Sequence, residues 1–501
     1  MTVESSPPQV TPDGRVELSD VRPIEDSRFF NPELAPVPIK QRTWTTYNFF
    51  ALWMGMATNI PSYLLAAGLV AIGMNWLQAF LTITLGNIIV LVPMLLNSHA
   101  GTKYGIPFPV FARAFYGIRG ANLAALLRAF IACGWFGIQT WVGGQAIHII
   151  VGKLAGTGWS AAPQVLGQPW TLWLSFLAFW ALQMVIIWRG MEAVRVLENW
   201  AAPLVAVGLV ALAAWVLTRA GGFGPIFSEP SKLGWGVDFW KVFAPSLMGM
   251  IAFWATLSLN MPDFTRFGGD QRKQAWGQIL GLPTTMSFIA LLSVITTSGT
   301  IVVYGEAIWD PVALTAKFDN PVAVIIGLVM VILATISTNL AANVVSPSYD
   351  FSNAVPKLIS FRVGGLITGV LGIAIMPWRL ISDPRVYIFA WLGFYGGVLA
   401  AVAGVLVAGY WVRSRTRLEL ADLYLERGRY WFSGGWNWRA VAATLVGSVL
   451  AVGGAYGGPF PADGLIPFLK PLYDYNWVVG FVAGLLVFLA LKENTAKEKT
   501  R

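Results

Sequence analysis

From residue 45 onward the chain alternates between long apolar stretches and short polar loops. Runs of this length and polarity predict membrane-crossing helices. Twelve can be drawn: Phe49–Ile72, Gln78–Leu96, Asn122–Val151, Leu172–Trp188, Pro203–Leu217, Val242–Asn260, Ile279–Tyr304, Val322–Val345, Gly364–Met376, Val386–Val412, Val441–Tyr456 and Trp477–Leu491. The pattern predicts an all-α polytopic membrane protein. Residues 1–44 are Pro-rich, of mixed charge and without apolar period, which predicts a loosely attached tail with no signal peptide. The eighth run departs from uniform greasiness. It carries a polar seam, Ala334-Thr335-Ile336-Ser337-Thr338-Asn339-Leu340-Ala341-Ala342-Asn343. Hydroxyls and amides at bilayer depth need partners, so they face a bundle interior or a watery cavity. None of them ionises, which suits binding of a polar solute or a cation better than catalysis.

Composition sharpens this. The chain of 501 residues is 56% hydrophobic and 12% charged, with a mean hydropathy of +0.62, against about 25% charged for a soluble domain. The net charge of +9 is spread over short loops and gives no nucleic-acid signal. Most of the 34 Lys and Arg fall on one side of the twelve-run map, which predicts both termini in the cytoplasm, with Arg413, Arg415 and Arg417 as the strongest anchor. A single cysteine, Cys133, excludes an internal disulfide, and His99 and His148 make no zinc motif. Intramembrane charge is sparse. Arg128 is expected to snorkel to the interface, His148 to be interfacial, and Asp263 and Arg266 to pair locally. Glu192 and Glu198, with Arg189 and Arg195, read as a solvated loop. No buried carboxylate is apparent.

Two stretches share the pattern W-x5-N-x-P-x-aromatic: Trp53 to Tyr63 in the first run and Trp254 to Phe264 at the end of the sixth. Matching interrupted helices five runs apart are what an inverted-repeat transporter would show, although chance can also produce the match. In the third run Trp135 and Gln139 lie four apart on one helix face. A Trp offers a flat surface and a Gln amide offers a donor and an acceptor, so the pair could hold a planar ring; an interface Trp and a helix-joining Gln fit the same residues. Phe253 and Trp254 follow Pro245 and Gly249, which permit a helix break. In the first run Gly55, Thr58 and Asn59 precede Pro61. An unwound turn there would expose the Gly55 and Thr58 carbonyls, which with Ser337 and Thr338 would make an oxygen cage for a monovalent cation. The alternative is that both hydroxyls bond back to their own helix.

At these residues the chain resembles the nucleobase–cation–symport-1 family. The likeness is carried by Asn97–Val110, Gly134–Trp141, Asn260–Phe267, Ser337–Asn343 and Ser346-Pro347. Within the family it is most similar to bacterial allantoin permeases and more distantly to the sodium–hydantoin transporter. The resemblance implies a five-plus-five inverted repeat (LeuT-like) over residues 45–412. It also implies a cytoplasmic tail over 1–44, a basic cytoplasmic loop over 413–440, two further helices in 441–491 and a cytoplasmic tail over 492–501. It implies a substrate lying between Trp135 and Trp254, with Gln139 and Asn343 bonding its ring amides and Phe253 and Asn59 lining the site. A cation would be held by Gly55, Thr58, Ala334, Ser337 and Thr338, and Leu392 matches a gating position. Ala400-Ala401 and Gly409-Tyr410 stand where the family often has Gly-Pro and Asp-Tyr, which puts the bend and inner end of the tenth helix in doubt.

The resulting expectation is a secondary active transporter in the cell membrane that imports allantoin, uracil or another nucleobase, or a hydantoin, by alternating access. Sodium is the candidate coupling ion, with a proton left open, and no cofactor is expected. A passive facilitator on the same scaffold is the alternative. An enzyme is not expected, because no acid/base pair, metal-ligand set or activated nucleophile stands out.

Overall fold

A computed structural model of the chain describes residues 9–189 and 191–491, with the side chains at 157, 191–202 and 341 left out of account. Each expected run falls on a helix or a broken pair of helices. The first span is Thr46–Ala57 followed by Ile60–Ile72, bent by 59°. The second to fifth are Trp76–Tyr104, Ala121–Ala155, Trp170–Arg189 and Met191–Arg219. The sixth is Val237–Phe253 followed by Ala255–Asn260, and the seventh to ninth are Gln271–Tyr304, Pro321–Asn343 and Phe361–Ala374. The tenth has an α-helical centre, Gly393–Val407, between wider π-helical turns at Val386–Leu392 and Ala408–Arg413. Trp438–Val452 and Asn476–Ala490 complete the set. Among the described residues six helices are long and apolar enough to cross a membrane unaided, or eight if each of two bent pairs is one span. Glu192, Arg195 and Glu198 fall within the fifth helix rather than a loop, and their side chains lie outside the described residues, as does the tail 492–501.

The two breaks have different local causes. In the first span the helix stops at Thr58 and restarts after Asn59, whose backbone is extended. Asn59 Oδ1 accepts from Ser62 N at 2.7 Å and its amide nitrogen donates to Met56 O, so one side chain caps the second half and ties down the first. Pro61 sits in the first turn, where its missing N–H costs nothing. In the sixth span the break falls at Trp254, while Pro245 and Gly249 lie inside the helix. Gly249 is needed for close approach instead: a Cβ there would lie 2.8 Å from Ile388 Cγ2 on the tenth span. The shared W-x5-N-x-P pattern therefore does not mark equivalent breaks, since Trp53 lies mid-helix and Trp254 lies at the interruption.

The third span is the hub. It packs against the fourth, eighth and ninth spans and the helix Val345–Ala354, while the first packs against the seventh and the tenth against the sixth, eleventh and twelfth. Small residues set the tenth–twelfth approach, because a Cβ at Gly484 would collide with the Ala401 carbonyl and one at Gly404 with the Phe481 carbonyl. Ala400 and Ala401 thus sit in a tight helix contact.

Residues 9–44 are not loose, contrary to the reading of the sequence. They form a small hairpin (Gln9–Val10 with Val16–Glu17) and short turns that dock on the face also bearing residues 413–437, here termed the inner face. Ile24 and Leu34 are fully buried. Buried cations hold the segment. Arg42 donates to the carbonyls of Val16, Val37, Lys103 and Tyr104. Arg113, on the short inner helix Phe108–Tyr116, donates to Phe29 O, Leu423 O and Asn353 Oδ1. Burial lowers both guanidinium pKa values to about 10, still far above neutrality, so each stays charged and needs these acceptors.

Candidate functional site

The polar seam ends where its helix ends. Asn343 is the last residue of Pro321–Asn343, and the chain kinks at Val344 before Ser346-Pro347. Asn343 Nδ2 donates to Asn339 Oδ1 at 2.9 Å. Asn339 Nδ2 in turn donates to Gln183 Oε1 at 2.8 Å and to Phe136 O at 3.1 Å, and Gln183 Nε2 donates to Thr140 Oγ1 at 3.0 Å. This relay joins the eighth span to the third and fourth, and it orients the Asn343 amide, using one of its two N–H donors and leaving its carbonyl oxygen available as an acceptor. Thr335 bonds back to Val331 O. Asn339 and Thr335 thus serve packing between and within helices, and Gln183, which completes the relay, was not picked out from the sequence. Its only signal was one amide in the apolar fourth run.

Gln139 lies one turn beyond Trp135 on the third span, with both side chains buried. Its Oε1 has no partner. An orphaned buried amide oxygen is rare and marks a place where a partner is missing. Trp135 meets Phe253 edge-on at 5.1 Å between ring centroids, and Phe253 meets Trp254 edge-on at 4.8 Å. The two tryptophans thus bracket Phe253, without direct ring contact between them. Trp254 Nε1 is also buried and unpartnered, and Trp53 closes the far side, 5.2 Å from Trp254. The tenth span adds Trp391 and Tyr395, whose rings contact Trp135 and each other and whose Trp391 Nε1 and Tyr395 hydroxyl lack partners. Both were missed; their four-residue spacing beside Leu392 was the available signal. Leu392 is fully buried, in the π-helical turn.

The oxygen-rich locus is separate. Among the described residues no backbone hydrogen bond reaches the carbonyls of Gly55 or Thr58, because Thr58 N donates to Met54 O, Asn59 N to Ala57 O and Ser62 N to Asn59 Oδ1. Ser337 and Thr338 are buried, yet neither hydroxyl bonds back to its own helix, unlike Thr335, Ser348 and Thr296. The eighth span packs on both halves of the first, and Ile60 and Ala334 line one cavity. Asn59 differs from the rest of the expected substrate lining in having both its amide atoms engaged within the break.

Three charge expectations are corrected. Arg128 does not snorkel: it is 1% exposed and pairs at 3.2 Å with Asp350, which is fully buried on the helix Val345–Ala354. Asp350 is thus a buried carboxylate that the sequence did not disclose. Its partner lies more than two hundred residues away, so no local spacing could reveal it. Asp263 does not pair with Arg266. It accepts from Phe108 N, Asn260 Nδ2 and Ser346 Oγ, tying the inner end of the sixth span to the helix Val345–Ala354, while Arg266 donates to Glu33 O. Among the described residues no group of His, Cys, Asp and Glu could hold a metal ion.

This buried cluster of aromatic rings around the unpartnered amide oxygen of Gln139, termed the chamber below, holds no nucleophile among its described residues, so its chemistry suits binding a planar solute and offers nothing with which to transform it. The comparisons agree. Residues 36–480 match the family model described as permease for cytosine/purines, uracil, thiamine and allantoin. The chain is 42% identical over 471 residues to an allantoin permease of Bacillus subtilis, covering 93% of this chain and 94% of that one. It is 39% identical over 432 residues to a purine-uracil permease of Arabidopsis thaliana, covering 86% and 72%. Its fold matches that of Mhp1, a nucleobase-cation-symport-1 family transporter solved in a closed conformation with bromovinylhydantoin bound, with a TM-score of 0.74, 26% identity and coverage of 92% and 95%. The broken first and sixth helices are accordingly those of an all-helical transporter fold built on a five-plus-five repeat. The chain belongs to the nucleobase–cation–symport-1 family of permeases, multi-pass membrane proteins that move small heterocycles rather than transform them.

Proposed function

We propose that this permease is a secondary active transporter that imports an allantoin-like or nucleobase-like amide heterocycle together with a cation, by alternating access. The observation that carries the reading is the unpartnered, buried Oε1 of Gln139 one turn from Trp135 on the third span, the span to which the relay from Asn343 through Asn339 is bonded. Such a pair of acceptors complements ring N–H groups, while Trp135 and Trp254 offer faces to the ring and Phe253 gives way between them. The coupling ion is sodium, held by the Gly55, Thr58 and Ala334 carbonyls and the Ser337 and Thr338 hydroxyls, a hard-oxygen set suited to a monovalent cation. Residues 45–412 form the transport core, 441–491 the two additional helices, and the inner face lies in the cytoplasm of a cell that carries the protein in its cytoplasmic membrane. Leu392, in the π-helical turn of the tenth span, acts as the outer gate.

The test is uptake into proteoliposomes of allantoin, uracil and hydantoin, each with and without a sodium gradient. Accumulation of one of them above equilibrium, collapsed by a sodium ionophore, is the expected result. Equilibration without accumulation would make the protein a facilitator. In the same assay Asn343→Ala should abolish uptake, and Thr338→Ala should raise the sodium concentration needed for half-maximal uptake while ligand affinity at saturating sodium stays unchanged.

A further inference from the structure

Outward of the binding chamber lies a second cavity of about 290 Å³, which the function above does not use. Its floor is formed by Val142, three residues beyond Gln139 on the third span, and by Leu64 on the outer half of the first. Three residues of helix rise about 4.5 Å, so the cavity sits roughly one turn above the chamber. The wall between them is thin. Trp309 at the cavity contacts Tyr387, and Tyr387 contacts Trp135 in the chamber, at 6.3 and 6.1 Å between ring centroids. Tyr387 is fully buried in the π-helical turn of the tenth span, its hydroxyl donating to Pro61 O at 3.2 Å. The Tyr387 ring therefore lies between Trp309 at the cavity and Trp135 in the chamber.

The cavity has the same kinds of groups as the chamber. Trp141, Trp309 and Trp378 provide aromatic walls, with Trp378 braced 4.7 Å from Trp173. Gln145, Gln168 and Asp310 provide polar groups. Neither glutamine side chain has a partner among the described residues. Asp310 keeps one carboxylate oxygen on Val312 N, capping the helix Pro311–Thr315, and among the described residues makes no salt bridge through the other. Flat apolar faces combined with unpaired amides and a carboxylate suit a planar solute with several N–H and C=O groups, and suit an inorganic ion or an aliphatic chain poorly.

We propose that this cavity is an outer docking site for the same amide heterocycle, occupied before Tyr387 moves aside and admits the ligand to the chamber. It rests on the transport reading above, and it adds a second, transient site with its own residues, Gln145, Gln168 and Trp378.

The chain's lone cysteine makes the test clean, because Cys133 is buried. Ser382 lines the cavity and is exposed. In right-side-out vesicles a membrane-impermeant maleimide should label Ser382→Cys, and saturating allantoin or uracil should slow that labelling severalfold. Adding Gln139→Ala, which disables the chamber, should leave the protection in place, and adding Gln145→Leu to that pair should remove it. Gln168→Cys serves as the reporter if Ser382→Cys does not reach the membrane. Protection lost with Gln139→Ala alone overturns the proposal, because the effect then comes from the chamber. So does an absence of protection in a protein that still accumulates the ligand. An unaltered chain that accumulates none of allantoin, uracil or hydantoin overturns the transport reading itself, and the docking site with it.

Discussion

The Gln139 amide is buried with no partner for its oxygen, and that has opposite consequences with and without ligand. In the empty protein the orphan carries a desolvation cost of about 1–3 kcal/mol. Gln139→Leu should therefore leave the apparent melting temperature unchanged or raise it, while lowering ligand affinity about 10- to 100-fold, the same free energy read as binding. A thermal-shift assay and equilibrium binding on one preparation check both halves. A residue that merely joined helices would lose stability instead. The Arg128–Asp350 pair behaves differently. Both side chains are essentially inaccessible, and each is the other's countercharge. Asp350→Leu alone leaves a buried cation without its partner and should cost about 3–5 kcal/mol, whereas Arg128→Met combined with Asp350→Leu should recover most of it. If transport fails in the double variant although folding recovers, the pair serves the transport cycle as well as the fold.

At the level of helices, the outer half of the tenth span is seated on the third by a glycine. A Cβ at Gly134 would collide with the indole of Trp391, which also packs on Trp135. Gly134→Ala should push the π-helical turn away from the chamber and favour an outward-open form. The expected signature is faster labelling of cysteines on the outer path, with reduced uptake and retained ligand binding. Labelling rates unchanged from the parent would show that Trp391 yields without moving its helix. π-helical turns are weak points in a ladder of i→i−4 bonds and often occur where a helix must flex, and here one lies between the chamber and the outer cavity. Interrupted helices in the first and sixth spans were foreseeable from their Gly, Asn and Pro content, and so was the break point in the first, but not the one in the sixth. Asn59 caps from within its own segment, so its role is local and readable. The break at Trp254 sits among rings from two other spans, Trp53 against Trp254 and Trp135 against the neighbouring Phe253, which no local rule contains.

Across the whole molecule, the N-terminal segment ties together parts that alternating access must separate. It gives Glu33 O to Arg266 beyond the sixth span, Phe29 O to Arg113 between the second and third, and Asn31 to Pro356 O after the eighth. Removing residues 2–34 would withdraw an acceptor from each of three buried guanidinium groups, those of Arg42, Arg113 and Arg266. It should lower the melting temperature and favour an inward-open form, measured as faster labelling of cysteines placed near Asn260 and Ser346 from the inner face. Equal stability and labelling in the truncated chain would reduce the segment to passive packing. Its composition, rich in proline and mixed charge, gave no sign of this, because the partners that order it lie on the folded inner face and are absent from the segment itself.

Hydropathy by itself determined the number and approximate limits of the helices, since crossing a bilayer demands twenty or so apolar residues whatever their neighbours. It also exposed the seam at 334–343 and the Trp135–Gln139 pair, because polarity inside such runs is costly enough to stand out. Tertiary structure decided the rest. It set which seam amides are spent on helix contacts and which remain free, where the sixth helix breaks, that Arg128 meets Asp350, and that the N-terminal segment is held down by buried arginines. Each of these depends on partners brought together from distant parts of the chain, and hydrogen-bond satisfaction is a property of the packed whole rather than of any window of sequence.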